Sequence, residues 1–293
     1  MQLSSACMRC IIDIEEDRIK DVNDEALKRE YMRRIAERIG NLKESDTAPY
    51  LVNRFDRLYE EMFLDTIEFH YIKQDFNQMV LDREAEIKKL IQNDNQPLLK
   101  ALILARVGNY IDFGALKEVN TDQFLDMLMN AKPSDMDRDT FINFRRDLES
   151  HGNLLILADN CGEIVLDRFF AEQLLEEYPH MNVTLMVKGG DVMNDATRED
   201  AVHAGFGKRV KIVDTGISIA GTDPTHISDA ALAEVERAQI ILSKGQANFE
   251  TFCGAGYRAY YSFLCKCNHF ARLFDVKPLT GIFADEDYCR SRI

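Results

Sequence analysis

Residues 153–167 read NLLILADNCGEIVLD, an apolar run typical of a buried strand that ends abruptly at Asp159 and Asn160. A Cys-Gly pair follows, and from Glu163 onward the pattern is helical. Ligands of open α/β sheets bind just beyond the carboxyl ends of the strands, and hard cations prefer carboxylate and amide oxygens. The stretch therefore predicts a strand–turn–helix unit with a ligand site in its turn. The alternative is that Asp159 or Asn160 only caps the helix that begins near Glu163.

The chain changes character near residue 150. Apolar residues recur at helical spacing before it, in residues 24–39, 50–70, 83–92 and 97–107. Short β-rich runs alternate with helical patterns after it, in residues 153–158, 182–188, 209–214, 239–243 and 259–266. This alternation indicates βαβ units and a mostly parallel sheet with right-handed crossovers. We therefore predict a helical domain over residues 1–150 and an α/β domain over residues 151–293, joined through polar stretches near 130–139 and 149–152.

Composition and charge narrow the possible partners. With 46% hydrophobic and 29% charged residues among 293, the chain is typical of soluble globular proteins. Its net charge of −14 and pI near 4.9 disfavour nucleic acid and anionic membranes as partners, so a phosphorylated ligand must be small and locally neutralised. The sequence contains no apolar run of membrane-spanning length and no secretory signal pattern, and we expect a cytoplasmic protein. It does not define an oligomeric state.

Polar residues follow each predicted strand. The loop after the second strand contains Asn194 and Asp195, and parallel strands bring their carboxyl ends to one edge of the sheet. Asp195 can therefore approach Asp159 and Asn160, which together form an oxygen set suited to Mg²⁺ or Mn²⁺. Taken alone, Asp195 would be interpreted as the cap of a helix over residues 197–204.

Two lysines follow predicted strands and are candidates for binding an anion. Lys244 precedes Gly245, whose backbone N–H is a predicted anion donor at the start of the next helix. Lys266 ends the next apolar run, YYSFLCK, and is expected to contact the same anion. A solvated lysine is the alternative for either residue.

The cysteines favour a reducing compartment or a metal over disulfides. Seven are present, and four of them are closely spaced in pairs, as Cys7 with Cys10 and Cys265 with Cys267. Three interpretations of Cys7-x-x-Cys10 stay open. The two cysteines form a redox pair, they form half of a structural zinc site that Cys265 and Cys267 complete, or they are simply two buried small side chains. The six histidines show no HExxH or similar zinc pairing.

The order of these motifs along the chain resembles the DUF89 family. The motifs are Cys7-x-x-Cys10, residues 108–114 (GNYIDFG), 159–163 (DNCGE), Asn194-Asp195, 243–248 (SKGQAN) and 263–267 (FLCKC). The resemblance covers essentially the whole chain, and the early CxxC is similar to a subgroup typical of archaeal and bacterial members. It implies a helical domain on a Rossmann-like α/β domain, and a metal-dependent damage-control phosphatase that acts on small phosphorylated metabolites. The sequence does not choose among Mg²⁺, Mn²⁺, Co²⁺ and Ni²⁺.

The resemblance also implies roles for particular residues. Asp159, Asn160 and Asp195 match the metal-binding positions, and Lys244 and Lys266 fall in segments associated with the phosphate pocket. The family contains a member described as a protein carboxyl methyltransferase, so a methyltransferase that uses S-adenosylmethionine is one alternative. No glycine-rich nucleotide loop follows the first strand, which weakens that alternative. A noncatalytic metal-binding protein is another.

Residue chemistry favours hydrolysis by metal-activated water. Aspartate phosphatases that form a covalent intermediate have a second Asp two residues after the nucleophile, and here that position is Cys161. Glu163 either orients the water or favours the helix amino terminus through its charge. Asn109 and Asp112 are expected to lie on a loop over the sheet edge and to contact the nonphosphate part of the substrate. Gly108 and Gly114, which flank them, either belong to that loop or only end helices.

Overall fold

The structure, a computed structural model, describes residues 1–43, 45–64, 69–112 and 120–293. Contacts between residues divide the chain into two compact units, Met1–Glu68 and Phe69–Ile293. None of the helices in the described ranges is both long and apolar enough to cross a membrane.

The first unit contains three described helices with a core of their own. They are α1 (Ser5–Arg18), α2 (Glu25–Gly40) and α3 (Ala48–Phe63). Their apolar faces meet around Tyr31, Leu51 and Phe55, which are fully buried. The helix predicted over residues 50–70 ends earlier than expected, because Leu64 adopts a left-handed backbone conformation that stops helix α3. Residues 65–68 lie outside the described part of the chain.

The second unit begins with helices and continues as alternating strands and helices. Its helices are α4 (His70–Leu81), α5 (Glu84–Gln92), α6 (Pro97–Gly108), α7 (Thr121–Asn130), α8 (Asp135–Ser150), α9 (Glu163–Glu177), α10 (Arg198–Ala204), α11 (Asp229–Arg237), α12 (Gln246–Phe252), α13 (Asn268–Leu273) and α14 (Glu286–Arg290). Its strands are β1 (Asn153–Leu157), β2 (Asn182–Val187), β3 (Val210–Asp214), β4 (Ile240–Lys244), β5 (Tyr260–Leu264) and β6 (Gly281–Asp285).

The strands form one sheet in the order β3-β2-β1-β4-β5-β6. The first five are parallel, as predicted, and their positions agree with the predicted runs to within two residues. β6 was not predicted and pairs antiparallel with β5. Only five residues long, it follows a six-residue helix, so the sequence around it lacks the helix–strand alternation that identified the others.

Helices α4 to α8, which the chain forms before residue 150, belong to the same compact unit as the sheet, whereas α1 to α3 belong to the first unit. Helix α6 is buried on all sides and packs against α9. Gly108 at the end of α6 permits this approach, because an added Cβ would lie 2.8 Å from the Cα of Glu163. The predicted domain boundary at residue 150 is close to Asn153, where the first strand begins. The two compact units instead divide between Glu68 and Phe69, before α4.

The strand order reverses between β1 and β4. In a doubly wound sheet, the connections from two such neighbouring strands run to opposite faces and leave a crevice at the strand ends. Asp159 follows β1 and Gly245 follows β4, so this crevice contains the motifs that the sequence singled out.

Candidate active site

Backbone hydrogen bonds bring the predicted metal ligands together. The N–H of Ala196 donates to the carbonyl of Asp159 at 2.7 Å, and the N–H of Cys161 donates to the carbonyl of Asn194 at 2.8 Å. These bonds form a short antiparallel bridge between Asn160 and Asp195. The loops after β1 and β2 are therefore paired, as convergence at the sheet edge predicts.

Helix capping does not account for these residues. Helix α9 has Gly162 at its N-cap, so neither Asp159 nor Asn160 caps it. Helix α10 is capped by Thr197, whose side chain and backbone form a capping box with Asp200.

The ligand candidates are enclosed, yet two of their oxygens lack hydrogen bonds. Asp159, Asn160 and Asp195 are at most 5% exposed. Asp159 Oδ2 accepts hydrogen bonds of 2.8 Å from the side-chain amides of Asn109 and Asn160. Among the described residues, Asp159 Oδ1 and Asp195 Oδ2 accept no hydrogen bond, although Lys188 Nζ lies 3.7 Å from Asp195 Oδ2. Buried oxygens of this kind ordinarily have a partner, and a cation would supply one.

The electrostatics of the two carboxyl groups also suit a cation. Burial, followed by the charges of Asp195 and Glu163, holds the pKa of Asp159 well above its usual range. Burial raises the pKa of Asp195 to about 6, with a further contribution from Asp112, although Lys188 opposes the shift. A divalent cation would offset the desolvation of both groups and their mutual repulsion. Among the described residues, no group of three or more His, Cys, Asp or Glu side chains is placed to hold a metal ion, and two carboxylates with an amide stay the predicted donor set.

Gly245 contributes space to the site. Its φ of +81° favours glycine, and an added Cβ would lie 2.0 Å from both Cγ and Oδ2 of Asp159. The Gly245 N–H donates to the carbonyl of Ser262 at 3.1 Å. It is therefore committed to the sheet and does not support the predicted role as an anion donor.

Asn109 lies beneath the site and is completely buried. Its Nδ2 donates to Asp159 Oδ2 at 2.8 Å and to Glu163 Oε2 at 2.9 Å, while its Oδ1 accepts from the N–H of Leu264 at 3.1 Å. The predicted contact with the nonphosphate part of a substrate is not supported by this location. Asn109 instead holds the Asp159 carboxylate in a fixed orientation.

Lys244 is also enclosed, with no exposed surface. Its Nζ donates to Glu163 Oε1 at 2.6 Å, to Asp167 Oδ1 at 2.5 Å and to the carbonyl of Ala105 at 3.4 Å. Burial lowers the pKa of Lys244, but Asp167 and Glu163 outweigh it, and the net shift is upward. Because its charge is balanced inside the protein, the structure does not support the predicted phosphate contact for Lys244. Glu163 links this ion cluster to Asn109, a role that neither sequence-based alternative for Glu163 included.

Two other lysines supply positive charge to the site. Lys266 Nζ forms an ion pair with Asp112 Oδ2, and its charge lowers the pKa of both Asp159 and Asp195. Lys188, which the sequence did not single out, is 1% exposed and donates to the carbonyl of Ala158 at 3.1 Å. Its sequence signal was its position directly after β2, at the same sheet edge as Lys244 and Lys266. Asp112 is half-buried, and Phe113 and Gly114 lie outside the described residues.

Comparison with known proteins agrees with the fold and with the predicted family. The family model for the damage-control phosphatase ARMT1-like domain matches residues 3–279 of this chain. The chain belongs to this family. A crystal structure of a DUF89 family protein from Pyrococcus horikoshii has a TM-score of 0.76 at 23% identity, covering 98% of this chain and 99% of that one. The predicted family and fold class are therefore confirmed.

Archaeal relatives share this family domain at low identity. An uncharacterized protein of Methanocaldococcus jannaschii is 26% identical over 258 residues, which are 86% of this chain and 83% of that protein. A damage-control phosphatase of Pyrococcus horikoshii is 31% identical over 65% of this chain and 64% of its own. Another, from Archaeoglobus fulgidus, is 25% identical over 93% of this chain and 95% of its own.

The cysteine pairs of this family member lie in different compact units. Cys10 is exposed and Cys7 half-buried on α1, so burial as small apolar side chains does not describe this pair. Cys265 is buried after β5 and Cys267 is half-buried at the N-cap of α13. None of the seven cysteines forms a disulfide, and a four-thiolate zinc site or a redox pair stays a prediction.

A separate cavity of about 300 Å³ lies within the first unit, lined by Arg34, Glu37, Arg38, Asn41 and Arg54. Arg34 pairs with Glu30 and Glu61, and Asn41 is the C-cap of α2. Arg54 lies 3.9 Å from Asp46, so two of the three lining arginines already have acidic partners, and we assign no ligand to this cavity.

Proposed function

We propose that this chain is a metal-dependent phosphatase that hydrolyses phosphate monoesters of small metabolites, such as sugar phosphates or damaged phosphometabolites. Family membership supports the reaction class, since the relatives from P. horikoshii and A. fulgidus are named damage-control phosphatases. The acidic net charge favours small substrates over nucleic acid.

One observation carries the proposal, which is the convergence of two buried carboxylates at the topological switch point. Asp159 and Asp195 each retain an oxygen without a hydrogen bond among the described residues, and the backbone bridge pairs Asn160 with Asp195. We infer that these three residues hold a divalent cation, of which Mg²⁺, Mn²⁺, Co²⁺ and Ni²⁺ are the candidates. When bound, such a cation stabilises negative charge on phosphoryl oxygens and acidifies water.

The residues around the carboxylates hold them in position. The Asn109 side-chain amide donates hydrogen bonds to both Asp159 and Glu163. Lys244 donates to Glu163 and neutralises its charge. The carboxylate orientation is thus fixed before substrate binds, which avoids a cost of reorganisation during the reaction.

Lys266 is the best candidate for contacting the phosphoryl group. Its charge acts on both Asp159 and Asp195, and its ion-pair partner Asp112 is half-buried rather than enclosed. A substrate phosphate can exchange for Asp112 as the partner of Lys266 without leaving a buried cation unpaired. Lys188, directly after β2 at the same edge of the sheet, balances part of the charge of Asp195.

Water is the proposed nucleophile. Cys161, at the position of the second carboxylate in aspartate phosphatases that form a covalent intermediate, is completely buried, and burial raises the pKa of its thiol. It is therefore a poor proton donor for a covalent mechanism at Asp159.

The test is a screen for phosphate release from sugar phosphates and related monoesters, with each of the four metals added separately and with a chelator. We expect turnover that requires metal and that Asp159→Asn abolishes. Turnover that persists with a chelator, or that Asp159→Asn leaves unchanged, would contradict the metal-dependent mechanism. Absence of turnover with every metal and ester would contradict the phosphatase proposal.

A further inference from the structure

We propose that helix α4 clamps the two loops that carry the metal ligands, and that Lys73, Asn77 and Asp200 are positioning residues for the cation. This inference rests on the proposed function for the identity of the ligands. The three residues lie outside the motifs that the sequence singled out. They are at most 5% exposed.

Asn77 links the first ligand loop to helix α10. Its Oδ1 accepts a hydrogen bond from the N–H of Gly162 at 2.6 Å, and its Nδ2 donates to Asp200 Oδ1 at 2.8 Å. Gly162 is two residues beyond Asn160 in the chain. A single carboxamide on α4 therefore joins the turn after β1 to the element that follows β2.

Asp200 joins α4 to the second ligand loop. Its Oδ2 accepts from both the N–H and the hydroxyl of Thr197 at 2.9 Å, and Lys73 Nζ lies 2.7 Å from the same oxygen. Thr197 is two residues beyond Asp195. Asp200 therefore caps helix α10 and also binds Lys73 and Asn77 of helix α4.

Lys73 makes the clamp electrostatic. It pairs with Asp200 and, at 3.3 Å, with Asp191 in the loop that leads to Asp195. Lys73 therefore joins helix α4 to residues on both sides of Asp195 in the chain.

A clamp is needed here because the two ligands repel each other. Asp159 and Asp195 are buried like charges, and the backbone bridge at Asn160 joins their loops by a short pairing only. Asn77 contacts Gly162 directly, two residues beyond Asn160. It reaches Thr197, two residues beyond Asp195, only through Asp200. Outer-shell partners of this kind typically change metal affinity by about 10- to 100-fold when removed.

The test measures metal binding directly. Mn²⁺ is titrated into the purified full-length protein, and free Mn²⁺ is followed by electron paramagnetic resonance, with Asp159→Asn identifying binding at the site. We expect Asn77→Ala and Lys73→Met each to weaken this binding about 10- to 100-fold. Lys73→Arg, which keeps the charge, should lose less than Lys73→Met.

A matched control separates positioning from general destabilisation. Arg168 ties α9 to Glu84 near the start of α5 at 2.6 Å, in the same unit. Arg168→Gln should lower the melting temperature without changing the Kd for Mn²⁺.

The outcomes distinguish this inference from the proposed function. Mn²⁺ affinity within twofold of wild type in both Asn77→Ala and Lys73→Met would overturn the clamp, and so would an equal loss in Arg168→Gln. Normal Mn²⁺ binding by the wild type without hydrolysis of any ester would remove the phosphatase proposal, while weaker binding in the α4 variants would still support the clamp. Failure of the wild type to bind Mn²⁺ would overturn the clamp, and absence of turnover with all four metals as well would overturn both.

Discussion

Replacing Gly245 with alanine tests whether the space beside Asp159 is essential for the site. The new methyl carbon would lie 2.0 Å from Asp159 Cγ and Oδ2, whereas ordinary van der Waals contact begins at 3.4 Å. The carboxylate must therefore move by about 1.4 Å or the β4 loop must shift by a similar distance. A displacement of about 1 Å in a catalytic group can cost about 100-fold in rate. We expect kcat/KM of Gly245→Ala to fall by about 100-fold or more, together with a weaker Kd for Mn²⁺.

The same substitution also strains the backbone. Gly245 has φ +81° and ψ 161°, a region that residues with a Cβ rarely occupy and that costs roughly 1–3 kcal/mol. For a unit of this size, such a cost lowers Tm by roughly 2–12 °C. Calorimetry and metal-dependent phosphate release on one preparation would give both quantities.

Gly254→Ala is the matched control, because Gly254 also has a positive φ, +84°, but an added Cβ meets no atom within 4 Å. It should lose stability through backbone strain and keep its activity. Activity of Gly245→Ala within about threefold of Gly254→Ala would refute the steric argument. Equal loss in both variants would assign the effect to strain instead.

Three further predictions concern the charged groups. Asp159→Asn and Asp195→Asn should each reduce turnover by about 100-fold or more while circular dichroism shows an intact fold, and full activity of either folded variant would remove it from the site. Lys266→Ala should raise KM for several esters and weaken inhibition by inorganic phosphate, whereas Lys244→Ala should chiefly lower stability, by about 3–5 kcal/mol in urea unfolding, since it leaves buried carboxylates unpaired. Unchanged phosphate inhibition in Lys266→Ala would contradict its assignment. Burial raises the pKa of Asp167 to about 7 even though Lys244 opposes the shift, so its folded pKa exceeds the unfolded value. Its contribution to stability is then present below about pH 4 and lost as pH rises through about 7, and Asp167→Asn should flatten the fall of Tm between about pH 4 and 7.

The sequence predicted five strands and several helices because their signals are local. Residues 153–157 and 182–187 are apolar runs bounded by polar turns, and such runs identify buried strands without any knowledge of their neighbours. β6 was not predicted because the helices on either side of it, α13 and α14, are only six and five residues long, so the helix–strand alternation is lost there. The end of α3 was not predicted because the left-handed backbone conformation of Leu64 is imposed by the fold and is not one that leucine prefers.

The convergence of Asp159, Asn160 and Asp195 was also predictable, since parallel strands place their carboxyl ends at one edge whatever their order. The directions of the side chains were not. Lys244 and Lys266 both follow or end strands in the sequence, yet Lys244 is enclosed by Glu163 and Asp167, whereas Lys266 pairs with the half-buried Asp112.

The sequence by itself therefore determined the positions of five strands and several helices, and which oxygens meet at the sheet edge. Only the tertiary structure decided what each polar group contacts. Asn109 is 50 residues from Asp159, and Asn77 is 123 residues from Asp200, so no local pattern specifies either hydrogen bond. The physical reason is that a buried polar group must find a partner wherever packing provides one, and packing is a property of the whole fold.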